Sequence, residues 1–272
     1  MTSHRDAAHP PQVGVPVDVL DGLTRFRHRL GMFGRAVHWY QEIGSTNDAA
    51  LLLAERGDEE GTLVGADLQT AGRGRQGRIW SSPRGAGLYV SAILRPPKPV
   101  VALLTLAAGV SIADGIREAS GLTVDLKWPN DAYLGGRKVA GILAEAGTAD
   151  IGFNHVVLGI GINVSEASYP PEVAARATSL EREVGRPVDR GLVLASCLSA
   201  LAARYRQLLT DAPGVLATWR SYSAVMLGRR VECTVGLRSV VGVAEDIDDT
   251  GALIVRAGDE TIRVISGEVI WS

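Results

Sequence analysis

The chain has 272 residues, 46% apolar and 21% charged, an ordinary globular composition that excludes a disordered or fibrous protein. The 28 basic and 30 acidic residues leave a net charge of −2, so there is no chain-wide basic footprint for nucleic acid. A chain of this length buries about three quarters of its unfolded surface and needs no metal or disulfide staple.

Met1 to Pro11 is polar and lacks the apolar segment of an export signal. Residues 1–34 form an N-terminal segment. It is Pro-rich at first (Pro10, Pro11, Pro16), then helical, with Leu20, Leu23, Phe26 and Leu30 at spacings of three and four. Val37 to Ile43 reads as a strand. Ser45-Thr46-Asn47-Asp48 offers N-cap candidates for a helix carrying Leu51, Leu52 and Leu53 and stopped by Gly57. Thr62 to Gln69 and Gly87 to Leu94 read as strands on either side of a loop rich in glycine and arginine.

Val100 to Ala119 reads as a helix. Its apolar stretch, Val100 to Ala113, is 14 residues, short of the roughly 20 a membrane span needs, so a buried helix and no membrane partner are expected. Leu122 to Trp128 is a strand, and Gly135-Gly136 suits the tight turn of a hairpin whose returning strand is Val139 to Ala144. His155 to Val164 is a further strand, and Asp189 to Leu209 and Val215 to Tyr222 are helices. From Leu227 onward, short β-like runs alternate with turn residues such as Gly236 and Asp248 to Gly251, which reads as a small β-barrel of about 45 residues. The expected class is α+β, with a mixed sheet flanked by helices over 35–225 and a small SH3-like β-barrel over 226–272.

Cys197 and Cys233 are too few for a disulfide framework and sit in apolar surroundings, which suits a reduced, cytoplasmic protein. The histidines are scattered, so metal binding through them is not expected.

Gly72-Arg73-Gly74-Arg75-Gln76-Gly77-Arg78 contains G-x-G-x-x-G, but Ile79-Trp80-Ser81-Ser82-Pro83 follows where a dinucleotide fold needs a helix. Arg73, Arg75, Arg78 and Arg84 stand in a stretch free of Asp and Glu. That pattern suits a loop closing on phosphate or carboxylate; a solvated basic loop is the plainer alternative. In Lys127-Trp128-Pro129-Asn130-Asp131 and the hairpin after it, strand parity places Lys138, Ala140, Ile142 and Ala144 on one face. Lys138 either snorkels or points into a pocket. Asp131 either binds Mg²⁺, orients a base or caps a turn. Glycines within the strand Gly159-Ile160-Gly161-Ile162-Asn163 indicate close approach by a ligand or another backbone, or tight sheet packing.

Taken in order, these segments resemble the biotin protein ligases. The resemblance rests on Ser45-Thr46-Asn47, Gln69 with Ala71 to Arg78 and Trp80, Lys127 to Asp131, Arg137 to Glu145, Gly159 to Asn163 and Gly267-Glu268, and covers about residues 37–270. It implies an enzyme that converts biotin and MgATP to biotinyl-5′-AMP and transfers biotin to a lysine of a carboxylase's biotin carrier domain. By that resemblance Ser45, Thr46, Asn47, Gln69, Arg73, Gly74, Arg75 and Lys138 line the biotin and adenylate site. Arg78, Trp80, Asn130, Asp131 and Asn163 serve the nucleotide, Asp131 is the candidate Mg²⁺ ligand, and Lys138 and Arg75 are catalytic. A lipoate or octanoate ligase of the related fold is the alternative. Some family members carry an N-terminal winged helix-turn-helix; residues 1–34 show no such pattern, so ligase activity without sequence-specific DNA binding is expected.

Overall fold

The computed structural model describes residues 12–149, 152–235, 238–267 and 269–271. Residues 1–11 of the expected N-terminal segment, the turn residue Gly236 and Glu268 lie outside the described residues.

After α1 (Val17–Phe26) come β1 (Val37–Tyr40), α2 (Thr46–Glu55), β2 (Leu63–Ala66) and β3 (Gly87–Leu94). Next are α3 (Leu104–Ser120), β4 (Asp125–Lys127), β5 (Asp131–Leu134), β6 (Arg137–Ala149) and β7 (Gly152–Asn163). Helices α4 (Leu180–Val184), α5 (Arg190–Thr210) and α6 (Ala212–Tyr222) precede the strands β8 (Arg230–Val235), β9 (Arg238–Ile247), β10 (Leu253–Ala257), β11 (Glu260–Val264) and β12 (Val269–Trp271). Strands β1 to β7 form one sheet in the order β1-β2-β3-β7-β6-β5-β4, and β8 to β12 a second in the order β11-β10-β9-β8-β12. In the first sheet only β1 and β2 run parallel, joined by α2, as a parallel pair requires a crossover. The second sheet is antiparallel throughout, the small β module expected after the mixed sheet.

The middle of the first sheet has two unlike faces. Leu88, Val90 and Ala92 of β3, Ile160 and Ile162 of β7 and Ala140 and Ile142 of β6 fall in register and pack into the main core with α1, α3 and α5. On the opposite face, Ile93 and Val157 pack with Ala49, Ala50 and Leu53 of α2 in a smaller core. Beyond that row, beside the first turn of α2, the face carries Ser91, Gly159 and Gly161.

Two expectations need correction. The α-helix begins at Leu104, later than the expected Val100, because Lys98–Leu103 winds as a 3-10 turn that leads into α3, with Pro99 pre-set for its first turn. The joined stretch Lys98–Ser120 is 23 residues long and apolar enough to cross a membrane, but 67% of its most apolar 18 residues lie buried within the protein, as in a core helix. The second correction concerns strand parity. The β5–β6 register slips so that Ala132 pairs with Ala140 while Tyr133 pairs with Lys138, leaving Val139 as the extra residue of a bulge. Val139, Ala140 and Ile142 all enter the main core, whereas Lys138 lies beside Gly141 on the opposite face.

Candidate active site

The bulge, the bare glycine row and the Gly72–Arg78 loop enclose a cavity of about 470 Å³. All thirteen residues expected at the site line it, from Ser45, Thr46 and Asn47 through Gln69, Arg73, Gly74, Arg75, Arg78 and Trp80 to Asn130, Asp131, Lys138 and Asn163.

Three sequence-distant segments build one end. Ser45 is extended and takes the N-cap position of α2, one of the expected candidates, but its side chain makes no capping bond. The first N–H of the helix, on Thr46, is instead accepted by Gln69 Oε1 at 2.8 Å, and the Thr46 hydroxyl donates to the same oxygen at 3.1 Å. A side chain from the loop therefore caps this helix, joining loop and helix start. Gln69 Nε2 donates in turn to Ser82 Oγ at 2.8 Å.

Asn47 is pinned at both ends of its amide. Its Oδ1 accepts from the buried Ser91 hydroxyl at 2.6 Å, and its Nδ2 donates to Glu145 Oε2 at 2.7 Å. The amide lies so close to β7 that a Cβ on Gly159 would stand 2.2 Å from Asn47 Oδ1. The same absence of a side chain at Gly161 admits Trp80, whose ring would be 2.5 Å from a Cβ there. The glycines of β7 thus accommodate protein side chains laid across the sheet, a close approach of the kind their place in a strand indicates.

At the other end Lys138 Nζ stands 2.6 Å from Asp131 Oδ1 and 5.3 Å from the centre of the Trp80 ring. The Lys138–Asp131 pairing is a charge contact without an aligned hydrogen bond, since Asp131 Oδ1 has no hydrogen-bond partner among the described residues. The backbone of Lys138 is held firmly: its N–H donates to Arg176 O at 2.8 Å and its carbonyl accepts from Thr178 N at 2.9 Å. Arg75 is half-buried, and removal from water lowers its pKa against the opposing pull of Asp131; a guanidinium remains charged there. Burial likewise lowers the pKa of the Lys127 ammonium, which lies 4.9 Å over the Tyr133 ring.

The amides of Asn130 and Asn163 also have structural work. Asn130 Nδ2 donates to Ile142 O at 2.7 Å, and Asn163 Nδ2 to Thr178 O at 3.0 Å. Sequence reading missed Ser91, Glu145, Tyr133, Tyr169 and Arg176. Ser91 left a usable signal, a lone polar residue in the otherwise apolar run Leu88 to Leu94. The hydroxyl of Tyr169 and the indole N–H of Trp80 are buried without a hydrogen-bond partner among the described residues, and both side chains line the cavity. A buried donor left unpaired is costly, and a ligand in the cavity would relieve it.

A carboxylate-sized group could be offset by Lys138 and Arg75, while the Ser45 to Asn47 end supplies hydrogen-bonding groups beside apolar walls. Residues 39–163 match the model of the biotin/lipoate A/B protein ligase family, and residues 226–271 that of the biotin protein ligase C terminal domain. The bifunctional ligase/repressor BirA of Bacillus subtilis is 36% identical over 259 residues, 93% of this chain and 79% of that protein. The biotin–[acetyl-CoA-carboxylase] ligase of Mycobacterium tuberculosis is 37% identical over 253 residues, 88% of this chain and 92% of that one. Biotin protein ligase from Aquifex aeolicus, solved in complex with biotin and ATP, is 29% identical with a TM-score of 0.72, covering 88% of this chain and 99% of that chain.

Proposed function

The chain belongs to the biotin protein ligase family, and on that footing we propose how its residues divide the work of an ATP-dependent, two-step reaction. Biotin's carboxylate attacks the α-phosphate of ATP, forming biotinyl-5′-AMP and releasing pyrophosphate. The ε-amine of a lysine on a carboxylase's biotin carrier domain then attacks the acyl carbonyl and AMP leaves. The observation that carries this reading is a single cavity lined both by Lys138, Asp131 and Arg75 and by Ser45, Thr46, Asn47 and Gln69.

The first step brings two anions together. Lys138 and Arg75 offset that repulsion and the charge growing on the phosphoryl oxygens; each such contact is worth about 3–4 kcal/mol in a transition state. Ser45, Thr46, Asn47, Gln69, Arg73 and Gly74 hold biotin, whose bicyclic head needs an apolar slot with a few polar contacts. Arg78, Trp80, Asn130 and Asn163 hold the nucleotide. An acyl-adenylate hydrolyses when wet, so the Gly72–Arg78 loop also excludes water.

Among the described residues no cluster of three or more His, Cys, Asp or Glu could hold a metal. Asp131, whose Oδ1 faces Lys138 Nζ without accepting a hydrogen bond, suits Mg²⁺ held by one carboxylate and the substrate's phosphates, the usual arrangement for that ion. Mg²⁺ there would screen phosphate charge. The buried free thiols Cys197 and Cys233 suit a reducing cytoplasm, and the near-neutral net charge supports catalysis without sequence-specific DNA binding.

Biotin-dependent ATP–pyrophosphate exchange tests the assignment, with lipoate and octanoate as controls. Exchange with biotin alone is expected. Exchange with lipoate instead would move the substrate to the alternative acid, and no exchange by the folded protein with Mg²⁺ would overturn the mechanism.

A further inference from the structure

Glu145 sits on β6 past Gly141, where pairing with β5 ends, and only β7 remains beside it in the sheet. Its Oε2 accepts Asn47 Nδ2 at 2.7 Å and Arg73 Nη2 at 2.7 Å. One carboxylate oxygen thereby ties the start of α2 to the Gly72–Arg78 loop. The second partner of Arg73, Asp48 at 2.6 Å, is 56% exposed, while Glu145 is 25% exposed. Exposed ion pairs contribute little, so the more sheltered Glu145 bond is the stronger hold.

The loop's own backbone bonds, Gly74 N to Arg78 O and Trp80 N to Gly72 O, stiffen it without fastening it to the sheet. Behind the loop lies a second cavity of about 450 Å³, lined by Arg73, Arg75, Trp128, Glu145, Gly251 and Ile265 among others. Arg73, Gly74 and Arg75 line both cavities. The Arg73–Glu145 bond therefore stands at a partition: breaking it frees the wall between the active-site chamber and a second opening.

We propose that Glu145 is a positioning residue that latches the Gly72–Arg78 loop through Arg73 and orients the Asn47 amide, and so governs retention of the activated intermediate. This rests on the ligase reading. Glu145 acts through Arg73 and Asn47 and takes no part in attack on the α-phosphate.

The test loads full-length protein with labelled biotinyl-5′-AMP, chases with unlabelled biotinyl-5′-AMP, and follows escape of label. Losing a charge-assisted bond predicts about tenfold faster escape for Glu145→Gln, with a KM for biotin raised by about the same factor and kcat for exchange falling much less. Arg73→Gln reads the same bond from the loop side and carries the test if Glu145→Gln fails to fold. The double variant is expected to release more slowly than the product of the two single effects, because the bond the two residues share cannot be lost twice. Wild-type escape rates in both single variants, or multiplying effects in the double, would overturn the latch. So would a kcat loss at Glu145→Gln as large as its KM effect. Absence of exchange in the wild-type protein would instead strike the ligase reading itself.

Discussion

The two faces of the β3–β7–β6 sheet are built on the same strands and obey opposite rules. On the core face Ala140, Ile142, Ile160 and Ile162 interlock with neighbouring side chains, and volume decides stability. On the other face Gly159 and Gly161 carry no side chains, and Asn47 and Trp80 reach across from elsewhere to occupy the space. A strand can thus serve as core on one side and as a bed for imported groups on the other, because successive residues point to opposite faces.

That contrast can be broken from either side. On the core face Leu158→Ala, at a fully buried position opposite Ala92, should cost about 2–5 kcal/mol of stability in urea or thermal unfolding, with little change in KM for biotin. A large KM effect at unaltered stability would show that the two faces are not separable. Across the bulge, Lys138→Ala should lower biotin-dependent exchange by about 10²–10³-fold with a near-native unfolding curve. Retained exchange would remove Lys138 from the chemistry.

Gly159→Ala places a Cβ against the pinned Asn47 amide, 2.2 Å from its Oδ1. The displaced amide should raise KM for biotin by about tenfold, while the cost to stability stays within about 1–3 kcal/mol. An unchanged KM would mean that Asn47 does not contact the substrate.

The smallest effect is a control outside both faces. Burial alone would raise the pKa of Asp248, but bonds from Thr250, Arg263 and the amides of Ala252 and Thr250 outweigh it and hold the group at about 2. Its unfolded value is near 3.8, so its stabilisation is present above about pH 4 and lost as pH falls from 4 to 2. Asp248→Asn should remove that dependence from acid unfolding monitored by circular dichroism, without altering exchange at neutral pH. A wild-type acid limb in the variant would assign the pH dependence to other groups.

The sequence alone determined most of the element types, the module of short strands after Leu227 and the segments that meet at the site. Those features follow from hydrophobic period and turn chemistry, which act over a few residues. Tertiary structure decided the rest. The bulge at Val139 overrode strand parity and sent Lys138 to the pocket side while its neighbour stayed in the core. The cap of α2 came from Gln69, 23 positions away, where local rules point to Ser45. The contacts of Glu145 span 98 positions to Asn47 and 72 to Arg73. No local pattern encodes such pairs, because they form only after the sheet has set its register and brought distant segments within hydrogen-bonding range.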